Sequence, residues 1–168
     1  AHNIVNCRIF DHQGKILRQL PGVYCAFFPD GSFVSANIHD LTYYNSRVEK
    51  VWTKKISTHH QVNLSLDGQQ ILVMTSSFRK YEGKKVRFDK VSVHDLKGRE
   101  LKAFDFYDHI NEFMKKAPRK HYLGLISTLY KFWPDVEYEF SHATSFYEID
   151  DNKSSGVNPA FKKGNYIL

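Results

Sequence analysis

The sequence has 168 residues, 42% apolar and 15% aromatic, enough for one domain with a core of its own. Its formal charge of +6 is spread along the chain and is densest from Lys115 to Lys120. No apolar run approaches membrane-spanning length, no secretory core follows Ala1-His2-Asn3, and no basic-aromatic pattern marks a nucleic-acid binder, so neither membrane nor nucleic acid is an expected partner.

In chain order, Cys7 to Phe10, the turn Asp11-His12-Gln13-Gly14 and Lys15 to Leu17 predict a hairpin with a loop of three to five residues. Cys7 and Cys25 fall in strand-like segments on either side of it, without a CxxC. Two buried free thiols are the expectation, and one disulfide is the alternative. Phe28-Pro29-Asp30-Gly31-Ser32-Phe33-Val34 predicts a second hairpin, and Leu66-Asp67-Gly68-Gln69-Gln70-Ile71-Leu72 repeats it with Gly68 standing 37 positions after Gly31. Between them Leu41 to Tyr44, the turn Asn45-Ser46-Arg47 and Val48 to Ile56 form a degenerate copy of the first pattern. Val91 to Leu101, with the turn Asp95-Leu96-Lys97-Gly98, is a faithful one.

From Asp108 to Pro134 the period changes. Ile110, Phe113, Met114 and Ala117 share one helical face, Pro118 interrupts, and Tyr122, Leu125, Ile126 and Leu129 repeat the spacing. Two short helices packed outside the strands are expected. Strand-like Ala143 to Ile149, a polar loop over 151–162 and Lys163 to Leu168 then make a third Asp-Gly-like hairpin.

Hairpins recurring at nearly 40 residues fit the blades of a β-propeller. The expectation is an all-β chain: one partial propeller domain over 1–168, of about three four-stranded antiparallel blades from a six-bladed ring, with a helical insertion at 108–134. Three blades leave apolar faces and strand edges uncovered. A second chain is therefore an expected partner, as a second copy in a homodimer, a cleaved fragment or the remainder of the propeller.

Of nine histidines, His2, His12, His94, His109 and His121 are expected at the surface. His59-His60 stand at the start of one inner strand and His142 at the start of the next. His60 and His142 should therefore face one axial cavity from adjacent blades. Such imidazoles serve as nucleophiles, proton carriers, anion donors or metal ligands, or are satisfied by backbone carbonyls near the axis. No HxH, HExxH or carboxylate-rich cluster accompanies them, and no metal is expected. Nucleophile-elbow, Walker and GxGxxG patterns are also absent.

His59 to Gly68, Phe104 to Phe113, Glu139 to Phe146 and Gly164 to Leu168 together resemble the arylsulfotransferase (aryl-sulfate sulfotransferase) β-propeller family. The likeness covers most of the chain and is strongest from His59 onward. It implies that His60 and His142 are catalytic imidazoles contacting a sulfuryl group, with His59 and Thr144 binding substrate. Thr144 stands where the family usually has Asn, and Ser145 matches its Ser. The family's sulfate-binding Arg is expected just beyond Leu168 and its nucleophilic histidine on a later blade. The implied chemistry is sulfuryl transfer from an aryl sulfate to a phenol through histidine, with no cofactor, in a periplasmic or secreted protein. The alternative is a binding or scaffolding propeller that keeps the fold without the chemistry.

Overall fold

The strands follow the predicted hairpins closely. The computed structural model describes residues 6–116, 123–125, 136 and 138–167. Its strands are β1 (Cys7–Phe10), β2 (Ile16–Leu20), β3 (Tyr24–Phe27), β4 (Phe33–Asn37), β5 (Asp40–Tyr44), β6 (Lys50–Lys55), β7 (Thr58–Leu64), β8 (Gln70–Tyr81), β9 (Lys84–Asp95) and β10 (Glu100–Asp105). A 3-10 turn at Phe106–His109 leads into the short helix α1 (Ile110–Lys116). Strands β11 (Leu123–Leu125), β12 (Tyr138–Phe140), β13 (Tyr147–Glu148) and β14 (Tyr166–Ile167) complete the order. Among the described residues the chain is mostly β, in sheets that are antiparallel except where β12 joins β9, with that one short α-helix.

Two four-stranded antiparallel meanders, β3-β4-β5-β6 and β7-β8-β9-β10, form the body. Alternation along β8 sends Ile71 and Val73 to one face and Leu72 and Met74 to the other. Ile71, Val73 and Val62 pack on Val34, Ala36 and Leu41 of the first meander. Leu72, Met74 and Val91 pack on Phe146 and Tyr166, beside the β13–β14 hairpin. The second meander is thus a middle layer, apolar on both faces. Each such buried side chain stabilises the fold by about 1.5–3 kcal/mol.

One turn design closes three of the hairpins. Asp11 Oδ1 accepts the N–H groups of Gln13 and Lys15, Asp95 Oδ1 those of Lys97 and Arg99, and Asn45 Oδ1 those of Arg47 and Glu49. The fourth turn position is left-handed, with Gly14 at φ 83° and Gly98 at φ 80°, but Val48 takes it at φ 68°. The degenerate copy keeps the turn and strains a β-branched residue to do so.

Several expectations need correction. The second helix of the insertion is not formed at Leu123–Leu125, which is strand β11, paired with β12; Ile126 and Leu129 lie outside the described residues. The cause lies in β8 and β9, which at 12 residues each outrun the rest of their meander. β10 pairs with β9 from Lys90 to His94 and leaves Val86 to Phe88 as an open edge, which β12 covers in parallel. The first half of the helical reading holds, because Ile110, Phe113 and Met114 pack against Phe88, Phe106 and Phe140.

Cys7 and Cys25 are joined in a disulfide instead of remaining free thiols. The Cys7 N–H donates to the Gly22 carbonyl, which brings β1 alongside β3 with the two Cα atoms 6.2 Å apart, within disulfide range. His94 is fully buried, not a surface residue. β6 of the neighbouring sheet covers its turn: Trp52 Nε1 donates to the Leu96 carbonyl, and Lys54 Nζ donates to the Gly98 carbonyl and lies 3.5 Å from His94 Nδ1.

Candidate functional site

A bulge in β7 builds the first half of the site. Thr58 pairs with Thr75 and Val62 with Val73, so β7 carries more residues than β8 between those two pairings. The surplus leaves the ladder at His59, His60 and Gln61, with His60 in the left-handed region at φ 59°. The bulge is anchored at its base, where the Thr58 N–H donates to the Ile38 carbonyl and its hydroxyl to the Asn37 carbonyl.

The loop after β12 supplies the second half. Ser141 is left-handed at φ 62° and turns the chain so that His142 faces His60. Non-glycine residues held at such angles cost on the order of 1–3 kcal/mol each, and persist where the surroundings over-determine them. Here the surroundings are specific. Asp89 Oδ2 accepts the Ser141 hydroxyl and the Ala143 N–H, both at 2.7 Å. Gln61 Oε1 accepts the Phe146 N–H and Asn63 Nδ2 donates to its carbonyl, so the strand bearing His60 grips the segment bearing His142.

The two imidazoles meet. His60 Nε2 and His142 Nε2 are 2.9 Å apart, with ring centroids at 4.7 Å. Tyr24 of β3 stands 6.5 Å from the His60 ring and His59 lies edge-on to it at 4.9 Å. Beneath the pair runs a buried ion network. Arg87 and Asp89 share one face of β9, and Glu139 is the register partner of Arg87 on β12. The Arg87 guanidinium pairs with Glu139 Oε1 and, at 3.5 Å, with Asp89 Oδ1. Glu139 Oε1 also holds His142 Nδ1 at 2.8 Å, and Asp89 Oδ1 holds His59 Nε2 at 3.1 Å.

Burial, reinforced by the neighbouring His59, His142 and Arg87, pushes the His60 imidazole down to about 4, so it is neutral at pH 7. Burial also lowers His59, against the opposing pull of Asp89. Burial alone would raise Asp89, but hydrogen bonds from His59, Ala143 and Ser141 hold it below the ordinary carboxylate value. The result is a neutral His60 in contact with a half-exposed His142, with a fixed charge network behind them. Such an arrangement can donate to an oxyanion, accept a proton from a hydroxyl, or present an imidazole nitrogen as a nucleophile.

The structure thus brings together His60 and His142, the two expected catalytic residues. His142 lies in the loop ahead of β13 and not on a strand, and His60 lies within the β7 bulge. Of the two expected substrate-binding residues, Thr144 is exposed two positions beyond His142, whereas His59 is buried and turned inward to Asp89. Arg87, Asp89, Glu139, Gln61 and Asn63 were not predicted. Their signal was the charged pair Arg87 and Asp89 alternating with Val86 and Phe88 in a strand-like run. Among the described residues no group of three or more His, Cys, Asp or Glu could hold a metal ion, and no helix is long and apolar enough to cross a membrane. No protein-family model matches the chain, and no curated protein matches it.

Proposed function

We propose that this chain forms part of an arylsulfotransferase-like β-propeller in which His60 and His142 handle the sulfuryl group of an aryl sulfate. The observation that carries the reading is the 2.9 Å contact between their Nε2 atoms, made by segments 82 residues apart. In this reading the meanders β3–β6 and β7–β10 are consecutive blades stacked face to face. β1–β2 and β13–β14 are the outer and inner pairs of the flanking blades, and the bulge of β7 opens toward the axis.

In the transfer, a histidine nitrogen attacks sulfur and the sulfur–oxygen bond to the aryl group breaks. The phenolate leaves and takes a proton. A second phenol then gives up its proton and takes the sulfuryl group from nitrogen. Charge builds on the equatorial oxygens in both steps, and imidazole donors fixed at hydrogen-bond distance stabilise it without having to reorganise. The acceptor is a phenol and the donor an aryl sulfate; no cofactor takes part.

The test is sulfuryl transfer from 4-nitrophenyl sulfate to phenol in the completed ring, monitored by release of 4-nitrophenolate. Substituting His60→Ala or His142→Ala is expected to lower the rate by about 10²–10⁴-fold, with far-UV circular dichroism unchanged. Transfer that is absent in the wild type, or that is indifferent to both substitutions, would favour the binding or scaffolding propeller.

A further inference from the structure

Two of the hairpin turns are built alike and differ in what lies over them. In the β9–β10 turn the Asp95 N–H donates to the Arg99 carbonyl and the Gly98 N–H to the Asp95 carbonyl. In the β1–β2 turn the Asp11 N–H donates to the Lys15 carbonyl and the Gly14 N–H to the Asp11 carbonyl. The β9–β10 turn is a seat for an indole. Trp52 of β6 donates from Nε1 to the Leu96 carbonyl at 3.0 Å, and a Cβ on Gly98 would stand only 3.3 Å from its ring. Gly98 is buried under that ring, whereas Gly14 is exposed and a Cβ on it would meet nothing within 4 Å.

The turn alone does not demand glycine, since Val48 closes the remaining one at φ 68°. Close approach of a neighbour is the second use of the residue, and at Gly98 it is seen. The strands that lead into the two turns show the same contrast. Val93 and His94 are 2% and 0% exposed, while Ile9 and Phe10, at the matching places, are 37% and 52% exposed.

We propose that the β1–β2 turn is a second indole seat, which takes a tryptophan from the outer strand of a further β-sheet laid against this hairpin. The ring covers Gly14, and its N–H donates to the His12 carbonyl, the counterpart of the Leu96 carbonyl. One difference between the two turns sets the partner's sequence. Lys54, two residues after Trp52, donates to the Gly98 carbonyl and lies 3.5 Å from His94 Nδ1. Phe10 stands where His94 would be and offers a lysine no nitrogen, so an apolar residue at that place fits the phenyl ring better. β6 of a second copy does not match, because it carries Lys54 and its Trp52 is already seated on its own Gly98. The seat rests on the repeated turn and is independent of the sulfotransferase reading.

The experiment is proton–nitrogen correlation NMR of the full chain, titrated to millimolar concentration with a synthetic peptide of residues 49–56 carrying Lys54→Leu. The amide signals of Phe10, His12 and Gly14 are expected to move, with binding about tenfold weaker for a peptide that also carries Trp52→Ala. Gly14→Asn keeps a residue that tolerates the left-handed turn but puts a side chain on the seat, and it should abolish the response. No movement at those amides, or equal binding of the peptide without tryptophan, overturns the proposal even if Gly14→Asn does not fold. A response that survives Gly14→Asn overturns it too. Signals of Phe10 and Gly14 that shift with protein concentration, and not with the peptide, would assign the seat to a second copy and likewise overturn it.

Discussion

Arg87 lies 1% exposed between two carboxylates, and its removal would strand both. A buried ion pair is weak evidence of net stabilisation, but breaking one from a single side leaves an uncompensated charge, at about 3–5 kcal/mol. Arg87→Met should therefore lower the unfolding free energy by that amount in urea titrations. A loss under about 1 kcal/mol would show that the network is solvated and not a fixed support. The histidines give a second prediction. His59 and His60 titrate below their ordinary 6.5 in the folded chain, His60 near 4, so between those values the unfolded chain binds more protons. Stability should fall as pH drops from about 6.5 toward 4, and thermal midpoints at pH 7.5 and 5 should differ in that direction. With His60 part exposed, its own share is held to about 1 kcal/mol by solvent screening. Substituting His60→Gln should flatten the dependence; an unchanged slope would remove His60 as its source. The meeting of the pair was legible because each histidine stands just ahead of an apolar strand-like segment. Arg87, Asp89 and Glu139 were not, because alternating charges in a strand read equally as a solvated face, and only the parallel cover by β12 buries them.

At the scale of elements, the turns were readable residue by residue. Asp-x-x-Gly fixes a loop through two hydrogen bonds to one side-chain oxygen and one left-handed glycine. Val48 marks where the pattern decayed, and it gives a direct test. Val48→Gly should stabilise the protein by about 1 kcal/mol, since the strain relieved outweighs the flexibility gained in the unfolded chain. Destabilisation would mean that the valine side chain contributes packing that offsets its backbone cost. The disulfide was not readable, because the alignment of β1 with β3 depends on a backbone hydrogen bond to Gly22. That glycine, at φ 105°, has no room for a side chain: a Cβ there would lie 2.4 Å from Ser35 Cβ. Cys7 and Cys25 are 18 residues apart, a closure that constrains the unfolded chain by about 3 kcal/mol. Reduction should lower the urea midpoint accordingly. The insertion misled for a physical reason: a helical spacing over Tyr122 to Leu129 competes with pairing to β12, itself laid on the β9 edge, and at Leu123–Leu125 the pairing wins.

Across the whole molecule, the stacking of two meanders and a flanking hairpin leaves apolar side chains in solvent. Ile9, Phe10, Ile16 and Leu17 are exposed on the β1–β2 hairpin, and Tyr147 and Ile167 on β13–β14. These are the faces that neighbouring blades would cover, and their number suits a propeller whose sheets continue around a ring. A further sheet, from a second copy or from the same polypeptide, is therefore part of the proposed assembly. The chain alone should associate in native mass spectrometry, and a monodisperse monomer would contradict that expectation. The proposed chemistry is nevertheless local: two imidazoles, set by a strained bulge and a strained loop over a buried ion network, would receive a tetrahedral oxyanion. It is tested most directly by a crystal structure with tungstate, a heavy tetrahedral dianion that is easily located. Tungstate is expected within hydrogen-bond distance of both His60 Nε2 and His142 Nε2, with the two atoms drawn apart from 2.9 Å. Tungstate bound elsewhere, with the pair still closed and unoccupied, would contradict it.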